Sequence, residues 1–377
     1  MKARPGVDHP GELRWETRLL VVITATLTVF GIASVYSASS FAPEALGEVF
    51  KQLVGAAIGA VALIVASRID YQRWRDWAWP VLGVTLALLL ILLLPGTERL
   101  APRINGARRW LAVPGMSVQP SEIARFSIVV WAAMMAEKKG ELIRQFKRGM
   151  LPVLVITGVT SLLVLLEPNL SMATIIALCG AVVLFAAGAR IGQFMLLGVS
   201  GVFLAVAAVV AAPYRFRRFG CFFGIMTDCD QSTLWQLNQA TDGFAAGRLI
   251  GTGFGEGQLK LGYLPMARSD FIFSTVGEEW GFLGVLLLLA LFGVLCWLGF
   301  RIARTAADSF GQYLATGLTA SIGITVLMHV AVNLGLMPTT GLIMPFISAG
   351  RSNLIMSLLA IGVIVSVGRL RGRPAGR

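Results

Sequence analysis

The stretch YLPMARSDFIFSTVGEEWG, residues 263–281, sets one aspartate, Asp270, against Phe271, Ile272 and Phe273, with Arg268 two residues before it. The apolar neighbours push a carboxyl pKa up, whereas Arg268 and Lys260 pull it down. A carboxylate held between those pulls is a candidate general base. Aspartate ahead of an apolar helix is also a common N-cap, and spacing by itself favours the cap. Glu278 and Glu279 follow just before a long apolar run.

Four other groupings carry chemical side chains. GRLIGTGFGEG (247–257) places Gly251, Gly253, Gly255 and Gly257 at alternate positions. It lacks the Lys-Ser/Thr of a Walker loop and the third glycine of the dinucleotide fingerprint. Bare backbone N–H groups can form a nest for phosphate oxygens, with Lys260 close by, but glycine content by itself favours a string of turns. In VQPSEIARF (118–126), Ser121 is read as an N-cap, and Glu122 and Arg125 stand three apart on one helical face. Such charges inside a membrane face the bundle interior and pair, as structure or as part of a site. His329, with Asn333 one turn later, is read as a neutral imidazole bonded to a neighbouring helix in preference to a proton relay. EPNLS (167–171) is a tight turn with Glu167 at the outer surface and Pro168 opening the next helix. GLIMPFISAGRSN (341–353) is a Pro- and Gly-broken approach to the last span, with Arg351 facing a cavity or the outer headgroups.

These residues need apolar elements to position them. Of 377 residues, 56% are hydrophobic and 14% charged, and the mean hydropathy is +0.75. A soluble domain carries about 25% charged residues, so the chain falls in the membrane class. Segments long and apolar enough to span lie near 17–38, 50–68, 78–95, 121–137, 150–166, 171–188, 192–212, 277–299, 312–336 and 343–368. The fourth to sixth are short or polar. The expected fold is an all-α polytopic membrane protein, a single domain over 1–377 with about ten transmembrane helices. One large extracytoplasmic loop, 213–276, joins helices seven and eight, and short tails flank the domain at 1–16 and 369–377. Within the loop, Leu234, Leu237, Thr241 and Phe244 share a helical face beside Trp235, a helix lying at the membrane interface or packed on the bundle.

Ten spans put both termini on one side. That side carries 19 of the 32 Lys and Arg and is read as cytoplasmic. The loop 98–119 runs against the rule, with Arg99, Arg103, Arg108 and Arg109 outside, as an anion-binding loop would. Cys179 and Cys296 lie within spans. Cys221 and Cys229 share the large loop and can pair in an oxidising compartment.

The chain resembles the shape, elongation, division and sporulation family. The similarity runs over nearly the whole chain and leans to the FtsW branch through GTGFGEGQLKLGYLP (251–265). YLPMARSDFIFSTVGEEWGFLG (263–284) is the most specific match. GARRWL (106–111) with QPSE (119–122) is a second, and PTTGLIMPFISAGRSN (338–353) a third. Arg125 stands where the family usually has lysine, Asn169 where it has aspartate, Ser171 where it has glycine, and Arg351 at the second glycine of a Ser-x-Gly-Gly-Ser pattern that begins at Ser348. The resemblance implies a peptidoglycan glycosyltransferase that polymerises lipid II outside the bacterial cytoplasmic membrane, in division or elongation. It implies a growing lipid-linked glycan, a class B penicillin-binding protein and other morphogenetic proteins as partners, and no nucleic acid. Asp270 is then the general base. Arg109, Lys260, Arg268 and Ser348 are expected to bind substrate or pyrophosphate, with or without a divalent metal, Mg or Mn. Glu122 and Arg125 tune the cavity beneath. A lipid II flippase and a non-catalytic scaffold for a transpeptidase are the rival readings.

Overall fold

The computed structural model describes residues 15–40, 45–104, 106–113, 116–225 and 231–370. Its helices are α1 (Trp15–Ser39), α2 (Ala45–Arg68), α3 (Gln72–Leu93), α4 (Pro120–Lys139), α5 (Leu151–Leu166), α6 (Leu170–Ala186), α7 (Ile191–Val210), α8 (Pro213–Phe222), α9 (Gln231–Gly247), α10 (Ile272–Arg304), α11 (Ser309–Asn333) and α12 (Arg351–Arg369). A small antiparallel hairpin, β1 (Leu111–Val113) and β2 (Met116–Val118), interrupts the all-α expectation, with Leu111 opposite Val118.

Every expected span has its helix. Eight helices among the described residues are long and apolar enough to cross a membrane, and α6 is a shorter apolar one. The remaining span, α4, fails on polarity for a physical reason. It packs against α3, α6 and α11, and from Pro120 to Ala136 nearly every side chain is buried. A helix sheathed by protein need not match lipid, so Glu122, Arg125, Ser121 and Ser127 are tolerated along it. Its N-cap is Gln119 with Pro120 at N1, and Ser121 is not the cap: that hydroxyl is buried without a partner.

The two ends of the bundle are tied by separate sets of contacts. At one end Tyr71 and Gln72 donate to Asp308, Arg369 donates to the Arg68 carbonyl, and Arg301 pairs with Glu16. At the other, Gln52 bonds Ser348 and Gly350, Ser352 bonds Ser117, and Arg109 bonds Glu167 and Pro168. This is the division of loops that an alternating up-and-down bundle requires.

Two spans differ from expectation at that second end. The last helix begins at Arg351 rather than near 343. Residues 342–350 are non-helical and fold in over α1, where Gly31 meets the Phe346 backbone so closely that no Cβ fits. The span expected at 277–299 begins at Ile272, and it is broken at Gly281 (φ 65°, ψ −167°). The break frees the N–H groups of Phe282 and Leu283, which donate to the carbonyls of Arg248 and Leu249 at 2.9 and 3.1 Å. The carbonyls of Glu278 and Glu279 in turn accept from Thr252 and Gly253 at 2.9 and 3.1 Å. Helix and loop exchange partners, so a broken helix leaves these groups satisfied.

Gly281 lies in backbone space that essentially only glycine visits, and a Cβ there would meet the Gly251 nitrogen. Gly281→Ala is expected to lower stability by about 3 kcal/mol. Gly293→Ala, lower in the same helix with open space around it, is the control and leaves the detergent melting temperature within a degree or two.

Candidate active site

Asp270 is delivered by a tight turn. The Met266 carbonyl accepts from the N–H groups of Ser269, Asp270 and Phe271 at 3.0, 3.1 and 3.3 Å. Two further anchors grip this turn. Asn333 at the end of α11 donates to the Asp270 carbonyl at 3.0 Å, and Ser348 donates to the Ser269 carbonyl at 2.7 Å. The helix that follows is capped by Phe271 without a side-chain bond, so the Asp270 carboxyl is not used as an N-cap. It faces a cavity of about 420 Å³ at the end of the bundle where 342–350 folds in. Burial pushes its pKa up from the ordinary aspartate range. Hydrogen bonding from Ser269 and the charges of Arg109 and Arg218 pull the other way, and the net shift is upward.

The cavity wall comes from distant parts of the chain. Four cations line it, Lys51, Arg109, Arg268 and Arg351, with Glu48, Glu122 and Asp270 as its acids. Arg109 is held by the carbonyls of Glu167 and Pro168. Arg268 leans on Glu48 at 3.8 Å, and Glu48 also takes Lys51 at 2.8 Å. Glu122 forms the floor, paired with Arg125 at 2.9 Å and receiving the Asn353 amide at 2.8 Å. Arg125 lies beneath, bonded to Thr325.

Of the expected site residues, the fold brings Asp270, Arg109, Arg268 and Glu122 to one cavity, with Arg125 under it. Two expectations are corrected. Lys260 does not reach the cavity. Its ammonium is buried against Glu279 at 3.3 Å and bonds the Gly255 carbonyl, and Ser37 bonds the same carboxylate. Ser348 does not line the cavity either. Its hydroxyl donates to Ser269 and accepts from the Met344 N–H at 2.9 Å, so it ties the wall together. The glycine-rich loop does form an anion nest, but the anion is the protein's own: the N–H groups of Gln258 and Leu259 hold the Glu278 carboxylate at 2.7 and 3.1 Å.

Several positions escaped the sequence reading. Glu48, Lys51 and Gln52 sit in the first two turns of α2, where polar residues before a long apolar run carried a signal that was there to be read. Arg218 of α8 bonds the Thr339 carbonyl at 2.8 Å and acts on Asp270 by its charge. Its face-sharing with Arg215, three residues earlier, was the clue. His329 donates through Nδ1 to the Leu342 carbonyl at 2.8 Å, so it bonds the folded-in segment rather than a neighbouring helix. Glu167 is buried, not at the surface, and burial against a weaker pull from Arg109 pushes its pKa up to about 8. Helix α9 packs on α10, with Phe244 against Phe273 at 5.5 Å, which decides between the two readings of that helix. Cys179 and Cys296 are free, Cys221 is disulfide-bonded, and Cys229 lies outside the described residues.

The donor set fits a divalent cation poorly. Among the described residues no three His, Cys, Asp or Glu side chains converge. Glu48 and Glu122 are already committed to cations.

A family model described as cell cycle protein, covering the FtsW, RodA and SpoVE proteins, matches residues 17–372. A probable peptidoglycan glycosyltransferase FtsW of Trichlorobacter lovleyi is 38% identical over 354 residues, 93% of this chain and 92% of that one. Stage V sporulation protein E of Bacillus subtilis is 36% identical over 356 residues, 93% and 96% of the two chains. Among solved structures, a chain of a peptidoglycan synthase complex that coordinates polymerization and crosslinking superposes with a TM-score of 0.78 at 27% identity, over 94% of this chain and 98% of that one. The rod shape determining protein RodA of Thermus thermophilus gives 0.69 at 26% identity, over 94% and 97%. A multi-pass membrane protein is what the apolar helices and these relatives jointly describe.

Removing one partner of a buried ion pair leaves the other charge uncompensated, at a cost of about 3–5 kcal/mol. Lys260→Met is expected to destabilise by about that much, and the Lys260→Met, Glu279→Gln double variant to recover most of it. Melting in detergent measures both. Equal melting temperatures for the single and double variants would show that the pair is not coupled.

Proposed function

The chain belongs to the FtsW, RodA and SpoVE family of cell cycle proteins, and from that premise we propose that it is a peptidoglycan glycosyltransferase polymerising lipid II at the outer face of the bacterial cytoplasmic membrane. The cavity lies at the end of the bundle that the charge distribution assigns to the outside, with both termini in the cytoplasm. The observation that carries the mechanism is a half-buried carboxylate, fixed through its backbone, facing a cavity with four cations in its wall.

The chemistry follows from that pairing. An acceptor sugar 4-hydroxyl forms a bond from its oxygen to the anomeric carbon of a lipid-linked donor. The bond from that carbon to the diphosphate oxygen breaks, and the leaving polyprenyl diphosphate keeps the electron pair. The hydroxyl proton passes to the Asp270 carboxylate. Negative charge grows on the leaving group, where Arg109, Arg268 and their neighbours meet it with preorganised positive charge. A carboxylate with a raised pKa is a stronger base than an exposed one, and the turn on Met266 holds it still. The product passes to a class B penicillin-binding protein for crosslinking, in division or elongation.

Asp270→Asn keeps the shape and removes the base. Polymerisation of purified lipid II in detergent is expected to fall at least about 10³-fold in kcat with little change in KM or melting temperature. The base works ionised, so kcat/KM is flat at high pH and falls on acidification. The midpoint lies above the ordinary aspartate value of about 3.9. An Asp270→Asn enzyme that polymerises normally but fails to translocate lipid II in sealed vesicles would instead support a flippase. Full complementation of a deletion by Asp270→Ala would support a scaffold.

A further inference from the structure

Helix α12 points its N-terminus into the cavity: its N-cap Gly350 and its first three residues, Arg351, Ser352 and Asn353, all line the wall. The Gly350 N–H is taken by Gln52. The N–H groups of Ser352 and Asn353 donate to no acceptor among the described residues, and no side chain caps the helix. Unsatisfied donors at the positive end of a 19-residue helix favour an anion. Arg351 adds a full positive charge in the first turn.

A second observation narrows the ligand. The Asn353 side chain is 2% exposed and lines the cavity, yet its Oδ1 has no partner, while its amide is committed to Glu122. A plain diphosphate offers such an acceptor nothing. A sugar joined to a diphosphate does, through a hydroxyl or an acetamido N–H beside the anionic oxygens. The seat is also placed for transfer. Ala349, just before the N-cap, donates to the Arg268 carbonyl at 2.9 Å, and Ser348 bonds Ser269. The start of α12 and the Asp270 turn are therefore edges of one hydrogen-bonded seam.

We propose that the N-terminus of α12, with Arg351 and the backbone N–H groups of Ser352 and Asn353, is the seat of the donor's glycosyl diphosphate, and that Asn353 Oδ1 accepts from the sugar it carries. This deepens the polymerase reading and rests on it for the identity of the donor. It replaces Lys260, which is spent elsewhere, with groups that the sequence reading did not assign to the leaving group.

The test separates backbone from side chain. Ser352→Pro removes the N–H in the first helical turn, where proline is tolerated, and Ser352→Ala keeps the N–H while losing the hydroxyl that bonds Ser117. Binding of farnesyl diphosphate and of lipid II to the purified full-length protein is measured by calorimetry, in an Asp270→Asn background so that nothing turns over. Melting temperature is the folding control. Ser352→Pro and Arg351→Gln are each expected to weaken both ligands about tenfold, and Ser352→Ala to stay within about twofold. Unchanged affinity in folded Ser352→Pro and Arg351→Gln proteins overturns the seat. So does equal weakening by Ser352→Ala and Ser352→Pro. The polymerase reading is judged separately, by whether the protein with its native Asp270 makes glycan from lipid II. Diphosphate binding lost in these variants of a protein that makes no glycan would uphold the seat and sink only the polymerase.

Discussion

The structure depends on an exchange of four backbone hydrogen bonds. Helix α10 stops at Gly281 and restarts, and the groups it orphans are taken up by residues 248–253, whose own groups are satisfied in return. In a membrane an unpaired peptide group costs several kcal/mol, so neither the broken helix nor the glycine-rich loop is stable without the other. Around this exchange the buried acids fall into place. Glu278 is cradled by two N–H groups of the same loop, and Glu279 by Lys260 and Ser37. Loop, helix and α1 become one block, and the Asp270 turn is mounted on it.

The second wall of the site is the segment 342–350, folded in over the bundle rather than continued as helix. It is fixed from three sides: by Gln52 of α2, by His329 of α11 and by the Asp270 turn itself. Asn333 ties the turn to α11, and its side-chain Oδ1 accepts from the Ser274 hydroxyl at 2.9 Å. Asp270 is thus positioned through its main chain, leaving its carboxyl to the cavity. Of the cations opposite, Arg109 is held by two carbonyls, and Lys51 and Arg268 share the single acid Glu48.

How much of this was legible in the sequence varied by cause. The long apolar helices were readable because apolar length is a local property. The polarity of α4 misled only the hydropathy, since burial by neighbours is not local. Asp270 was visible as an acid against an aromatic run, and Glu122–Arg125 as a pair by helical spacing. Lys260 misled because proximity in sequence to a glycine loop says nothing about which anion the loop holds, and here it was Glu278. Ser348 misled in the same way, since a hydroxyl beside a site can serve the wall instead of the ligand. Lys51 and Gln52 were visible only as polar residues ahead of an apolar run, because their role arises once 342–350 and the Asp270 turn close the cavity beside them.

The size of the cavity has a consequence of its own. About 420 Å³ lies near the small end of the range that encloses a drug-sized ligand, and the substrate of the proposed reaction, a disaccharide bearing both a peptide and a polyprenyl chain, is far larger. On the proposed reading the cavity holds the reacting junction and not the whole molecule. What hangs from that junction, stem peptide on one side and lipid on the other, would then stay outside the walls and be free to vary. Selectivity would fall on the linkage being broken, and each turnover would have to vacate the same narrow space before the next junction could slide in.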